Sequence, residues 1–226
     1  MPTYRCRKTP VPPPIDGRIS PKAWDLAEAV PLMLADTGKT PVQPTEVRLL
    51  YDDAYLYVAF HCVDDEIWGT FTKRKEHVCS EEAVEVFIDP AASGRYYCEI
   101  EVSPRNTIYD LWNLNDPRCS PAVRHLEDWT CQKLRTAVHV EGELNSRTGN
   151  DKYWNCELSI PFAEMHGAAN IPPKPGDRWR VNLYRIDRRS RSRGSDEYSA
   201  WAKVDKIDFH QPGKFGELLF LAPGEE

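Results

Sequence analysis

The sequence predicts an all-β fold, an antiparallel β-sandwich of jelly-roll-like kind with one or two short helices. Three observations predict it. Apolar residues recur with a period of two over about ten short segments, the pattern of half-buried strands. The chain carries 19 prolines against 12 glycines, which favours turns and edges over long helices. No segment supplies the crossover helices that a parallel sheet requires. At 226 residues, with seven Trp, ten Tyr and seven Phe, there is material for one packed core.

Residues 1–14 read as a Pro-rich tail, because Pro10, Pro12, Pro13 and Pro14 favour an extended lead-in. A single domain follows over 15–222. Ile15-Asp16-Gly17 reads as a turn. Ser20 and Pro21 read as the cap and first-turn proline of a short helix that buries Trp24. Strands are expected near 45–51 and over 55–62, where Leu56, Val58, Phe60 and Cys62 share a face. The next runs are 83–88 (Val84, Val86, Ile88) and 96–102 (Tyr96, Cys98, Ile100, Val102). Strands near 106–112 and 131–140 lead to 154–160, where Trp154, Cys156, Leu158 and Ile160 alternate. Pro161 to His166 looks helical and stops at Gly167. The last strands are 179–184 (Trp179, Val181, Leu183), 197–203 and 216–221.

Composition excludes several functions. The net charge of −6 argues against nucleic acid as a partner, since phosphate binding wants a clustered positive excess. Arg185, Arg188, Arg189, Arg191 and Arg193 crowd one stretch; interleaved Ser and Gly read as a solvated loop between strands, with binding of an anionic or sugar ligand as the alternative. Apolar runs such as Leu218 to Leu221 are only a few residues, far short of the ~20 of a membrane span, so no membrane partner is expected. Met1 to Lys8 show no apolar signal segment, so a cytoplasmic site is expected, with secretion or membership of a larger secreted protein left open. Seven cysteines form no C-x-x-C pair and read as reduced, small apolar residues. Nucleophile-elbow, P-loop, dinucleotide and H-E-x-x-H motifs are absent, and the six histidines show no metal-ligand spacing.

The phase opposite the core carries the chemistry. It holds Glu85, Phe87, Tyr97, Glu99, Glu101, Arg180, Asn182 and Tyr184. Aromatic faces stack on the apolar C–H faces of sugar rings, while carboxylates and amides bind hydroxyls. A polar outer sheet with cross-strand Glu–Arg pairs is the alternative reading of the same phase. Glu81, Glu82, Glu85, Glu99, Glu101 and Asp110 are carboxylates enough for a hydrolase pair, but no spacing selects one. Asp52-Asp53 and Asp64-Asp65-Glu66 place hard oxygen ligands in turns, as calcium requires.

Five segments in order resemble the family 9 carbohydrate-binding modules and their relatives. They are Ile15-Asp16-Gly17 with Trp24, the run Val47 to Val58, and Glu82 to Asp89 with its V-E-V-F core. Trp154 to Pro161 and Trp201 with Pro212 to Leu218 complete the set. The resemblance implies a DOMON-related β-sandwich that binds sugar ends between two tryptophans and often carries structural calcium. It places a hydroxyl-binding glutamate at Glu85 and one slot aromatic at Phe209. The other slot tryptophan falls on Cys79, where a thiol offers no stacking plane; Trp112, Tyr97 and Trp68 are candidate replacements.

Taken together, these readings give a non-catalytic module for a mono- or oligosaccharide. Its expected binding residues are Glu85, Tyr97, Glu101, Trp112, Asn182, Arg185 and Phe209. Calcium, not required, is expected at Asp64 and Asp65. A protein-interaction module that has lost sugar binding and a sugar-active hydrolase are the alternatives. The oligomeric state stays open.

Overall fold

In the computed structural model, which describes residues 1–146, 150–189 and 195–225, the chain folds as two packed sheets. The strands are β1 (Thr3–Lys8), β2 (Val30–Pro31), β3 (Met33–Leu34), β4 (Thr45–Tyr51), β5 (Tyr55–Val63), β6 (Ala83–Asp89) and β7 (Tyr96–Val102). They continue as β8 (Ile108–Asn115), β9 (Val123–Leu126), β10 (Arg135–Glu141), β11 (Tyr153–Pro161), β12 (Arg178–Asp187), β13 (Glu197–Ala200) and β14 (Gly216–Phe220). One sheet runs β9-β8-β7-β6-β12-β14-β1 and the other β1-β4-β5-β11-β10.

The all-β sandwich is as expected, and the ten anticipated strands all form. Three expectations change. Residues 1–14 are not a free tail, because Thr3–Cys6 pairs with β14 and Arg7–Lys8 pairs with β4. One short strand therefore stitches the two sheets together. Both of its pairings are parallel, so the sandwich is mixed rather than wholly antiparallel. The segment Ser20 to Trp24 makes hydrogen-bonded turns, not a helix, with the Ala23 and Trp24 amides donating to the Ser20 carbonyl. Pro161 to His166 gives a single 3-10 turn at Phe162–Glu164, and similar turns lie at Val78–Ser80 and Pro212–Lys214.

Between the sheets lies the expected core. Val47, Leu49, Val58 and Phe60 face Val84, Val86, Ile100, Val181 and Leu183, with Trp112, Trp154 and Trp179 filling the volume. Cys62, Cys98 and Cys156 are fully buried there as small apolar residues, and the described cysteines are all free thiols. Trp24 is buried outside this core, capping the outer face of β4 and β5 over Leu50, Tyr57 and Ala59.

That outer cap depends on Glu157. Its carboxylate accepts from the Asp16 amide at 3.0 Å, the Gly17 amide at 2.7 Å and the Trp24 indole at 2.8 Å. Gly17 has φ +81°, and a Cβ there would come within 2.7 Å of the β10 backbone at Val138 and His139. The Ile15-Asp16-Gly17 … Trp24 pattern is thus an anchor for the segment that leads out of β1. Gly216 has a comparable reason, since a Cβ there would overlap the buried Trp201 indole.

Removing a buried carboxylate strands three donors. Glu157→Ala is expected to cost about 3 kcal/mol in urea unfolding. An unchanged midpoint would contradict the anchoring role.

Candidate functional site

The site is built by the register of β12, β6, β7, β8 and β9. Tyr184 lies opposite Glu85, Glu85 opposite Glu101, and Glu101 opposite Tyr109. In the next row Asn182, Phe87, Glu99 and Leu111 line up. Beyond them Tyr97 pairs with Asn113, and Asn113 with His125. Since strand side chains alternate, all of these point away from the core.

That face is not open throughout. The segment after β13 folds back over it, so Phe87, Tyr97, Tyr184, Phe209 and Phe215 form a second apolar cluster. Asn182 holds this cover down: its amide donates to the Ala202 carbonyl at 2.8 Å and accepts from the Ala202 amide at 2.9 Å. Where the cover ends, a cavity of 610 Å³ remains, within the range of small-ligand sites. Glu85, Glu99 and Glu101 form its floor, with Cys79, Tyr109, Tyr198, Phe209 and His210 among its walls.

Phe209 stacks on Tyr184 with ring centroids 4.0 Å apart and planes 10° apart. One ring face is therefore packed, and the residue contributes its remaining surface to the cavity. Cys79 sits at the cavity wall, where its amide donates to Glu101 at 3.1 Å and its carbonyl accepts from Arg188 at 2.7 Å. Arg188 also pairs with Asp196 at 2.8 Å and lies over the Tyr198 ring.

Burial holds the Glu85 and Glu101 carboxyls well above the usual carboxylate range. The neighbouring glutamate charges add to this, while Arg188 pulls Glu85 the other way. Directly opposed like charges on adjacent strands are unfavourable. The same burial favours the neutral form, in which a carboxyl can donate as well as accept.

The structure brings Glu85, Glu101 and Phe209 to one cavity, although Phe209 is itself buried at 8% exposure. Tyr97 lies under the cavity, its hydroxyl 2.8 Å from Nδ1 of His210. Three expected residues leave the binding set. Trp112 is on the core phase of β8, stacked on Tyr96 at 4.4 Å, because it alternates with Tyr109, Leu111 and Asn113. Asn182 is fully buried and serves the cover rather than the cavity. Arg185 alternates with Tyr184 and so points into the interior between the sheets. It donates there to Asp64 at 2.7 Å, to the Val63 carbonyl at 2.7 Å and to Thr45 at 3.1 Å. Trp68 donates its indole N–H to the Arg188 carbonyl at 2.7 Å. Arg191 and Arg193 lie outside the described residues.

Tyr109, His77 and His125 line the cavity and were not anticipated. The alternation of β8 carried the signal for Tyr109, which shares the phase of Leu111 and Asn113. His77 sits in a loop, 4.9 Å from the Tyr109 ring.

Asp64 and Asp65 do not act together. Asp65 accepts from Gln43 at 2.7 Å and lies 3.7 Å from Arg189. Asp64 joins Glu82 and Asp187, each offering an oxygen within 4.8 Å of the others, all buried. Among the described residues, Glu82 Oε1 and Asp187 Oδ2 have no hydrogen-bond partner. Burial and the neighbouring carboxylates push Asp187 up to about 7 despite Arg185. Asp52 is turn chemistry, accepting from the Ala54 and Tyr55 amides.

Residues 15–220 match the model of carbohydrate-binding family 9. The chain belongs to that family. An extracellular protein of Arthroderma benhamiae is 24% identical over 187 residues, 80% of each chain. Among solved structures, a family 9 module of Caldicellulosiruptor kristjanssonii in complex with cellotriose has a TM-score of 0.66 at 15% identity, covering 99% of this chain and 95% of that one. The module from that organism in complex with glucose gives 0.64 at 15% identity, covering 98% of both chains. A Bacteroides uniformis protein solved as a candidate carbohydrate binder gives 0.73 at 15% identity, covering 97% and 99%. The module's sandwich is therefore shared at low sequence identity.

Breaking a buried ion pair by deleting one partner leaves uncompensated charge. Arg185→Met is expected to lower stability by about 3–5 kcal/mol in urea unfolding. Normal stability with lost ligand binding would return Arg185 to the binding set.

Proposed function

We propose that this family 9 module binds a mono- or oligosaccharide in the cavity over Glu85, Glu99 and Glu101, without catalysing a reaction on it. The observation that carries the reading is the convergence of Glu85 and Phe209 on one concave site. These are the positions where the family resemblance places a hydroxyl-binding carboxylate and an aromatic wall. Sugar hydroxyls would donate to Glu85 and Glu101, and the apolar side of a ring would pack against the small part of Phe209 that reaches the cavity. Tyr109 and His77 supply aromatic surface on the same cavity, near the place where Cys79 stands instead of a tryptophan. The relatives solved with cellotriose and glucose make those sugars the first probes.

Isothermal calorimetry with glucose, cellobiose and cellotriose tests this. Saturable binding is expected, weakened about 10-fold or more by Glu85→Gln and by Phe209→Ala. No heat with any of the sugars, in the presence or absence of calcium, would overturn the reading. Turnover of a chromogenic glycoside that Glu85→Gln abolishes would favour a hydrolase instead.

Calcium of the kind the resemblance implies fits Asp64, Glu82 and Asp187 better than Asp64 with Asp65. The donors are all oxygen, and a hard dication would offset the burial and mutual repulsion that push the Glu82 and Asp187 carboxyls up. Calcium at millimolar concentration is expected to raise Tm by several degrees, and Asp187→Asn to remove the shift. A wild-type Tm indifferent to calcium and to chelator would exclude this site.

A further inference from the structure

Glu99, His125 and His210 each present one ligand atom within 4.8 Å of the others. They come from β7, β9 and the covering segment, far apart in the chain, and all three line the cavity. The imidazoles are 5.2 Å apart and T-shaped. Glu99 Oε2 and His210 Nδ1 lie 4.0 Å apart, too far for a direct hydrogen bond, so these two groups do not satisfy one another.

Each ligand is held from behind. Asn113 Oδ1 accepts from the Nδ1–H of His125 at 2.7 Å, and the Asn113 amide N–H donates to Glu99 Oε2 at 2.5 Å. One side chain thereby orients two of the three. The Tyr97 hydroxyl holds Nδ1 of His210 at 2.8 Å. Fixing imidazole and carboxylate ligands through their second polar atom is how metal sites preset their geometry. Glu99 is nearly out of water, whereas His125 is exposed and His210 partly so, which leaves a path from the cavity.

We propose that Glu99, His125 and His210 form a divalent transition-metal site of the zinc class in the cavity wall. Two imidazoles and one carboxylate are a borderline-soft donor set suited to zinc and its neighbours rather than to calcium. Three protein ligands leave a coordination position open to the cavity, where water or a hydroxyl would bind. The inference does not depend on the sugar reading.

The test is titration of the full, chelator-stripped chain with zinc chloride alone, alongside cobalt(II), whose visible spectrum reports ligand type. One saturable site is expected, with a cobalt spectrum of nitrogen and oxygen ligation. His125→Ala and His210→Ala should each abolish it. Asn113→Ala, which removes no ligand, should weaken it by about 10–100-fold. Circular dichroism and the urea midpoint show that each variant is folded. Cys79→Ser should leave binding intact. Failure of zinc and cobalt to bind, binding indifferent to both histidine variants, or loss in Cys79→Ser would each overturn the proposal. Sugar calorimetry on metal-free protein scores the carbohydrate reading separately.

Discussion

Two glutamates held side by side on neighbouring strands, almost wholly out of water, are the constraint around which this protein is arranged. The β6–β7 register opposes Glu85 to Glu101, with Glu99 one row along. Hydrophobic burial on the opposite face of the same strands sets that register. Val84, Val86 and Ile88 alternate with the pocket residues, and a one-residue slip would turn them all to the opposite face and out of the inter-sheet core. The core thus holds the carboxylates where their own repulsion would not put them. Arg188 and the Cys79 amide offset the cost, and burial favours the neutral form of Glu85.

The same logic explains why one sheet is buried on both faces. Its inner face packs against β4, β5 and β11, while its outer face is roofed by the 201–215 segment. Asn182 pins the start of that roof and Tyr184 receives Phe209. The roof stops short of the glutamate row, and the cavity exists because it stops there. Gly216, beneath Trp201, lets the chain re-enter the sheet as β14 directly after the roof.

Period-two alternation made most of this legible. It placed Glu85, Glu99 and Glu101 on the face opposite Val84, Val86 and Ile100, and the structure keeps them there. The same rule, carried through β8 and β12, separates Tyr109 from Trp112 and Tyr184 from Arg185. What alternation could not convey is non-local. Thr3–Lys8 alternates Tyr4 and Cys6 with polar residues, but its place depends on a partner more than two hundred residues away. Phe87, Tyr97 and Tyr184 read as outward, which is correct, yet the roof that buries them is visible only in three dimensions. His125 and His210 show no ligand spacing along the chain because sheet register and the roof, not a local motif, bring them together.

The account's central claim is that the cavity over Glu85 and Glu101 is where ligand binds. A crystal structure of the module soaked with cellotriose tests it most directly. A sugar ring against Phe209, with hydroxyls on Glu85 or Glu101, is the predicted result. A sugar seated elsewhere on the sandwich, with this cavity empty, would contradict it.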